Sequence, residues 1–311
     1  LAARYLRSMQ YDEVVATAFQ PSPQGLEPTP TLHASPARRL RDALEPIAMH
    51  SVWSRGVNER LAGLGHNFRT GYVCSRAALM GAPDPGVVGA TFAVFEPNMI
   101  GGIYEAGRSI CDRDTLLAAR TESVDTSLGA VLSDVDPSAI ATVAAALRKA
   151  VEDAPGVGRP LFSGLQNQPW PTSAVAQLWR ACEQFREHRG DSHVAVCVAA
   201  GLDAVEMNVL TELWLGMPFG EYSASRGWDE VTLAAAAARL ADYGWVADNT
   251  ITAAGTAYRD DLEHRTDVLQ QSIIDSLGAE LDDIVVHLAD WSQRCVEAKA
   301  FPPNAFKRAA G

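Results

Sequence analysis

The densest group of side chains that could do chemistry lies at residues 186–193. This stretch reads Arg-Glu-His-Arg-Gly-Asp-Ser-His, so six ionisable side chains occupy eight positions between two apolar segments. Three interpretations are open. The group caps a helix and forms surface ion pairs, or it lines a pocket that orients a polar ligand, or it supplies ligands to a metal ion or a haem.

The pocket interpretation draws on side chains from several parts of the chain. The ligand-binding residues that it predicts are Tyr72, Phe162, Trp170, Glu187, His188, Asp191, His193 and Glu206. Phe162 and Trp170 lie in the proline-rich segment 155–173, which carries more apolar residues than a flexible linker needs. We therefore expect this segment to be ordered and to form an apolar lid over the polar group.

The metal interpretation depends on the two histidines of this group. His188 and His193 would serve as ligands, or His193 would pair with Cys197 one helical turn further on. The chain contains no HExxH motif and no CxxC pair. The sequence therefore leaves a metal or haem cofactor as an alternative without specifying a complete ligand set.

Apolar periodicity divides the chain into three parts. Residues 1–34 are predicted to be an N-terminal arm and a proline-rich linker. Residues 35–200 are predicted to form a helical bundle domain that includes the ordered loop 155–173. Residues 201–298 are predicted to form a winged-helix domain followed by a C-terminal helix. The predicted fold class is mainly all-α, with a helical N-terminal domain, a winged-helix C-terminal domain and a small β-wing.

Local signals place the central group at a break between two helices. Residues 174–187 form an amphipathic helix, and Gly190 is predicted to supply its left-handed end. Asp191 would then cap a second helix that runs through Ala200. His188 and His193 are therefore predicted to lie on either side of a helix break.

The segment that follows Gly227 has the order of elements typical of a winged helix. It consists of a helix at 229–243, strands at 245–246 and 250–251 joined by a turn at 248–249, and a long helix from Thr252. Gly, Asp and Asn at the turns, with apolar residues between them, support these assignments.

Charge argues against nucleic acid as a partner. The chain has a formal net charge of −12, and residues 226–270 hold four arginines against eight acidic side chains. Such a segment repels a phosphate backbone, so the winged helix is predicted to serve packing or dimerisation.

The amphipathic helix 277–298 is a candidate seam for a homodimer. Five scattered cysteines indicate a cytoplasmic location, and no apolar run is long enough for a membrane span.

Two sets of motifs resemble known families. The run 234–246, followed by Ile-Thr-Ala-Ala-Gly at 251–255, is similar to the recognition helix, wing and following turn of MarR-type regulators. From about residue 35 to 290 the chain resembles an actinobacterial family described only as helix-turn-helix containing. The motifs that carry this second resemblance are Gly-Arg-Pro-Leu-Phe at 158–162, Pro-Trp-Pro at 169–171, the group at 186–193 and Gly-Leu-Asp-x-x-Glu at 201–206.

The second resemblance implies a helical N-terminal region and a winged-helix module. It also draws attention to Glu96. Many members of that family have His-Pro where this chain has Glu96-Pro97. If that histidine is a ligand, this chain uses the Glu96 carboxylate in its place or lacks the site, so Glu96 joins the predicted ligand-binding residues.

Together these patterns predict a protein that binds a small molecule and whose winged-helix module is not dedicated to DNA. The first alternative is a ligand-responsive, MarR-like transcription regulator. The second is a metal- or haem-dependent enzyme that uses residues 186–193. The sequence specifies neither the ligand nor a reaction.

Overall fold

The computed structural model describes residues 10–22, 26–28 and 35–310. Within these ranges the chain is mainly helical, with one antiparallel sheet of two short strands, which confirms the predicted mainly α-helical class. Most of the predicted arm and linker lies outside the described residues, namely 1–9, 23–25 and 29–34. The described part of the arm contains helix α1 (Tyr11–Ala18).

Prolines and cap residues start several helices of the N-terminal region. Ser35 accepts a hydrogen bond from the Arg38 amide, and Pro36 fills the first helical position, as the sequence predicts. The helices are α2 (Pro36–Ala48), α3 (His50–Trp53), α4 (Arg55–Gly63), α5 (Phe68–Ala77), α6 (Pro85–Thr91), α7 (Pro97–Gly107), α8 (Arg113–Val131) and α9 (Pro137–Glu152). A 3₁₀ turn, Ala78–Met80, follows α5.

The central group lies within one long helix. Helix α11 (Ala174–Ala199) runs without a break through residues 186–193, so the prediction that Gly190 ends a helix is wrong. A glycine in a helix interior costs about 1 kcal/mol relative to alanine. Complete burial of apolar side chains on both sides of Gly190, such as Phe185 and Cys197, outweighs this cost.

Asp191 caps a different helix from the one predicted. The proline-rich segment contains helix α10 (Pro160–Gln166), whose first turn leaves backbone amides without helical partners. The Phe162 amide donates a hydrogen bond to Asp191 Oδ2 at 3.0 Å. Asp191 therefore ties α10 to the middle of α11.

A second set of elements follows α11. It comprises α12 (Ala204–Leu215), α13 (Glu221–Ala224), α14 (Glu230–Asp242), β1 (Val246–Ala247), β2 (Thr250–Ile251), α15 (Ala253–Val268), α16 (Gln271–Leu277), a 3₁₀ turn (Gly278–Glu280), α17 (Leu281–Glu297) and α18 (Ala305–Ala310). Asp248 and Asn249 join the strands with φ values of 48° and 56°, as a two-residue type I′ turn requires. The predicted strands and turn agree with this hairpin to within one residue.

Two apolar cores hold these elements together. Helices between α2 and α11, with α16 and α17, form the larger core. The C-terminal end of α11 with α12, α14 and α15 forms the smaller one. Phe306 of α18 packs separately against Trp214 and Leu215 of α12.

The last long helix packs against a different part of the chain from the one that the predicted domain division implies. Helix α17, which the predicted division places with the winged-helix segment, packs against α2, where Ser292 donates a hydrogen bond to the Ala43 carbonyl. Its apolar side chains, among them Ile284, Leu288 and Trp291, belong to the larger core. This face is therefore covered within the chain, and it is not free to form the predicted dimer seam.

In the described part of the chain, no single helix has both the length and the apolar composition of a membrane span. One pair, α11 and α12, meets those criteria only when the two helices are taken together, and they are bent by 108° relative to each other.

Candidate functional site

A cavity of about 600 Å³ lies between the two cores. Helices α2, α5, α7 and α11 contribute lining side chains, and so do α12 and α15 of the smaller core and the C-terminal helix α18. The aromatic lining residues are Trp53, Phe68, Tyr72, Phe92, Phe95, Tyr222 and Phe301. The cavity thus combines aromatic walls with the charged groups of α11.

The continuity of α11 decides which of its side chains meet the cavity. Residues three, four and seven apart share one face of a helix. The cavity-lining residues of α11 are Arg186, Glu187, Arg189, Gly190, Asp191, His193 and Val194. Gly190 has no side chain, so the backbone of α11 itself borders the cavity at this position.

Glu187 is the anchor of one charged cluster. Arg76 of α5 donates two hydrogen bonds from Nη2 to the Glu187 carboxylate, both at 2.8 Å, and Arg186 bridges Glu187 and Glu45 at 3.1 Å each. Arg76 also donates to the Tyr72 hydroxyl at 2.9 Å. Burial favours the neutral form of Glu187, but Arg76 and Arg186 outweigh it and hold the pKa of this carboxyl below its ordinary value. Glu187 is therefore a fixed anion.

Glu263 of α15 is the anchor of a second cluster. It accepts hydrogen bonds from Arg189 at 2.6 Å, Arg259 at 2.7 Å and Arg38 at 3.3 Å. Burial disfavours the charged form, yet the arginines hold the pKa of Glu263 well below its ordinary value. Three guanidinium groups from α2, α11 and α15 thus surround one buried carboxylate, and two of them have a second carboxylate partner, since Arg38 also pairs with Asp42 and Arg189 with Asp267.

His193 lies beside this second cluster as a neutral group. Its Nδ1 is 3.0 Å from Thr266 Oγ1 and 4.0 Å from Glu263 Oε1, and its Nε2 is 3.6 Å from Cys197 Sγ. Burial, followed by the charge of Arg259, lowers the pKa of His193 to about 3. At neutral pH the imidazole is therefore an uncharged hydrogen-bonding group at the cavity wall.

Asp191 is the cavity carboxyl with the opposite behaviour. It is 6% exposed and has no ion pair with an arginine or lysine of the described chain, although the Phe162 amide donates to it. Burial raises the pKa of Asp191 to about 7, and the neighbouring charge of Glu187 adds to this effect. Asp191 can therefore act near neutral pH as a hydrogen-bond donor or as an acceptor.

Cations outnumber carboxylates around the cavity. The lining cations are Arg38, Arg41, Arg69, Arg76, Arg186, Arg189, Arg226, Arg259 and Lys307, and the lining carboxyls are Glu45, Glu187, Asp191 and Glu263. The whole chain has a formal net charge of −12. The interior of this acidic protein is therefore locally basic.

Four of the predicted ligand-binding residues line this cavity, namely Tyr72, Glu187, Asp191 and His193. His188, one position after Glu187, points elsewhere: its Nδ1 lies 2.8 Å from Gln270 Oε1 and its ring packs edge-on against Phe162 with centroids 4.7 Å apart. Phe162 itself is fully buried in the larger core. It contributes to the packing of α10 on α11 and does not form a lid over the cavity.

The other predicted residues also have structural contacts away from the cavity lining. Trp170 packs beneath the Arg148 guanidinium, 4.6 Å from its ring centroid. Glu206 caps α12 reciprocally with Asp203. Glu96 caps α7 by accepting hydrogen bonds from its first amides.

The two candidate metal ligands do not converge. His188 contacts Gln270 on the side of α11 away from the cavity, whereas His193 faces the cavity. The predicted pair His193 and Cys197 is in contact, but among the described residues no group of three or more His, Cys, Asp or Glu side chains is arranged to hold a metal ion.

Several cavity residues have no counterpart in the sequence-based prediction. On α2, Arg38, Arg41 and Glu45 recur at spacings of three and four residues, so they share one helix face. On α15, Arg259 and Glu263 are four residues apart and therefore also share one face. These pairs are visible in the sequence, but charged residues at helical spacing usually mark a solvated face, and only tertiary packing reveals that both faces are buried.

The chain belongs to the Helix-turn-helix family, whose family model matches residues 37–302. This confirms the helix-turn-helix membership that the motifs indicate. Neither a comparison with curated proteins nor one with solved structures finds a match.

Proposed function

We propose that this member of the Helix-turn-helix family binds a small molecule in the cavity between its two cores. The observation that carries the proposal is the cavity itself, about 600 Å³ in volume, with aromatic walls and a few fixed polar groups on α11. Ligand-binding cavities in proteins fall in this range of volume, and they combine mostly apolar walls with a small number of orienting polar groups.

The polar groups of the cavity suit ligand binding because they are rigid. Glu187 is held by Arg76 and Arg186, and His193 is held by Thr266. Side chains that are fixed before the ligand arrives lose little conformational entropy on binding. Asp191 adds a group that can donate or accept, which widens the range of polar ligand atoms that the site accommodates.

We further interpret α12, α13, α14, the hairpin and α15 as a MarR-like winged helix that serves the architecture of the protein. In that interpretation α14 is the recognition helix and the hairpin is the wing. The sole cation of α14, Arg239, pairs with Glu206 and Asp203 at 2.6 Å each. The exposed face otherwise carries Glu230, Asp242 and small apolar residues, which offers little to a DNA phosphate backbone.

A ligand-responsive transcription regulator is the second candidate function. Family membership favours it, and the cavity is bordered by α12 and α15 of the proposed winged helix as well as by the larger core. A gel-shift titration with the gene's promoter DNA separates the two candidates. We expect no binding at moderate salt, whereas tight, salt-sensitive binding would favour the regulator. A cytoplasmic location and a homodimer are further parts of the proposal.

The binding proposal is tested with N-phenyl-1-naphthylamine, an uncharged dye whose fluorescence rises in apolar surroundings. Thr211 and Val194 line the cavity from α12 and α11, so Thr211→Trp and Val194→Trp each fill part of it. We expect saturable binding to the unchanged protein and an affinity at least about tenfold lower in both variants. The control is Thr126→Trp on the exposed surface of α8, which should bind normally.

Equal affinity in the unchanged protein and in both cavity variants would contradict the proposal. Circular dichroism and thermal melting of each variant establish that the fold is retained. Because the two substitutions enter the cavity from different helices, a folding defect in one variant leaves the other available for the comparison.

A further inference from the structure

Within the described chain, two cavity cations, Arg226 and Lys307, lack the carboxylate partners that six of the other lining cations have. Arg38, Arg41, Arg76, Arg186, Arg189 and Arg259 all form ion pairs with carboxylates. Arg226 and Lys307 form none in the described part of the chain, although both line the cavity. These two side chains therefore bring positive charge to the cavity that no carboxylate of the described residues pairs with.

Arg226 is held in place without its charge being neutralised. Its guanidinium lies 4.4 Å from the ring centroid of Tyr222 and 5.1 Å from that of Phe95. Its Nε is buried and has no hydrogen-bond partner in the described residues, a state that costs free energy unless a partner arrives. Its backbone carbonyl accepts a hydrogen bond from the Glu96 amide at 2.9 Å, which ties this position to the start of α7.

Lys307 approaches the same region from α18. Its Nζ lies 5.6 Å from the ring centroid of Trp53. Burial and the nearby positive charge of Arg226 lower the pKa of Lys307 to about 8, against a smaller opposite effect of Glu221. The two cations therefore disfavour each other, and a bound anion would relieve both the repulsion and the loss of hydration.

We propose that the ligand of the cavity is an aromatic organic anion whose oxyanion group binds Arg226 and Lys307, an inference that rests on the proposed function. The acidic group can be a carboxylate, a sulfonate or a phosphate, since all three accept hydrogen bonds from a guanidinium and an ammonium. The aromatic body then lies against Trp53 and Phe95, which flank the two cations.

Two dyes of nearly the same shape test this inference. N-phenyl-1-naphthylamine and 8-anilino-1-naphthalenesulfonate share one aromatic framework, and only the second carries an anionic group. Arg226→Met should weaken binding of the sulfonate dye by about tenfold or more, since a hydrogen bond to a charged group contributes about 1.5–3 kcal/mol. Binding of the neutral dye should change little. Arg226→Lys should restore part of the affinity for the sulfonate.

The matched control is Arg265→Met, which removes an exposed arginine that pairs with Asp261 on α15 and does not line the cavity. It should leave both affinities unchanged. An equal effect of Arg226→Met on the two dyes, or no effect on the sulfonate, would overturn the assignment of Arg226. An equal effect of Arg265→Met and Arg226→Met on the sulfonate would overturn it as well.

The pH dependence of sulfonate binding provides a second test. As pH rises through about 8, Lys307 loses its charge, so the affinity for the sulfonate should fall, while the neutral dye should bind equally. The charged groups that face Lys307 are Arg226 and Glu221, and Asp191 elsewhere in the cavity adds negative charge as pH rises through about 7. In Lys307→Met the fall centred near pH 8 should disappear and only the earlier, smaller change should remain.

Failure of the anion inference can be distinguished from failure of the proposed function. If the neutral dye binds and Thr211→Trp abolishes its binding, the cavity site stands, and an affinity for the sulfonate that ignores Arg226 and Lys307 overturns only the anion inference. If neither dye responds to Thr211→Trp or to Val194→Trp, the proposed function itself is contradicted.

Discussion

Replacing Asp191 with asparagine should remove a large pH dependence from the stability of the folded protein. Asp191 lies between α10 and α11, and burial raises the pKa of its carboxyl from an ordinary 3.8 to about 7. The charged groups around it are Glu187, which favours the protonated form, and Arg76, which opposes it; Arg159 also lies within electrostatic range.

The size of the effect follows from the two pKa values. Each pH unit of displacement corresponds to about 1.4 kcal/mol, so a rise from 3.8 to about 7 corresponds to about 4 kcal/mol. The unfolded chain releases this proton near its ordinary pKa, whereas the folded protein keeps it until about pH 7. The folded state therefore has an advantage at low pH that it loses as pH rises through this window, and above it the charged carboxylate destabilises the fold.

Asparagine has no proton to lose in this window and still offers an oxygen to the Phe162 amide. Relative to the unchanged protein, Asp191→Asn should become more stable as pH rises from about 5 to about 8, by about 2–3 kcal/mol, because part of the full difference of about 4 kcal/mol has already developed below pH 5. Urea unfolding at several pH values measures this difference. All other ionisable side chains are the same in the two proteins, so the difference between their profiles isolates Asp191.

The control for this comparison is Asp136→Asn, which changes an exposed cap of α9 and should leave the shape of the pH profile as it is in the unchanged protein. Parallel profiles for Asp191→Asn and the unchanged protein would refute the reasoning, because they would mean that Asp191 is ionised in the folded state throughout this range.

The other predictions concern stability. Glu263→Gln should destabilise the protein by about 3–5 kcal/mol, because it leaves buried Arg259 without a carboxylate partner and removes one of two such partners from Arg38 and from Arg189. Asp261→Asn, on the exposed face of the same helix, should cost less than about 1 kcal/mol, and urea unfolding distinguishes the two. Gly255→Ala should destabilise the protein by about 1–3 kcal/mol or more, because an added Cβ would clash with the Trp245 carbonyl oxygen. An unchanged melting temperature would contradict this contact.

The elements that sequence reasoning predicts well depend on local chemistry. Ser35 and Pro36 start α2 because a cap acceptor and a fixed φ act within one turn. Asp248 and Asn249 form the hairpin turn because both residues tolerate positive φ. Such signals need no knowledge of the rest of the chain, so the mainly helical class and the hairpin are predictable from the sequence.

The course of α11 illustrates where local chemistry is insufficient. Gly190 and Asp191 carry a strong helix-stop and helix-cap signal, but the surrounding helix is buried on most sides, and burial stabilises its continuation. The predicted helix end at Gly190 would also separate residues that lie together in the cavity wall. Only when α11 is continuous do Glu187 and Asp191 share one face, while His188 between them faces the core.

The ion-pair partners of the site residues are also hard to predict from the sequence. Glu187 meets Arg76, and Arg189 meets Glu263, across large separations in sequence. Periodicity reports which residues of one helix share a face, but not which two helices meet. The sequence therefore indicates that residues 186–193 are unusual, and the cavity and its counter-charges become visible only in three dimensions.

A crystal structure of the protein with 8-anilino-1-naphthalenesulfonate bound would show whether the cavity holds an aromatic anion. We expect one dye molecule between the two cores, with its rings against Phe95 and its sulfonate within hydrogen-bond distance of Arg226. A dye bound only on the outer surface, with the cavity between α11 and α12 unoccupied, would contradict this expectation.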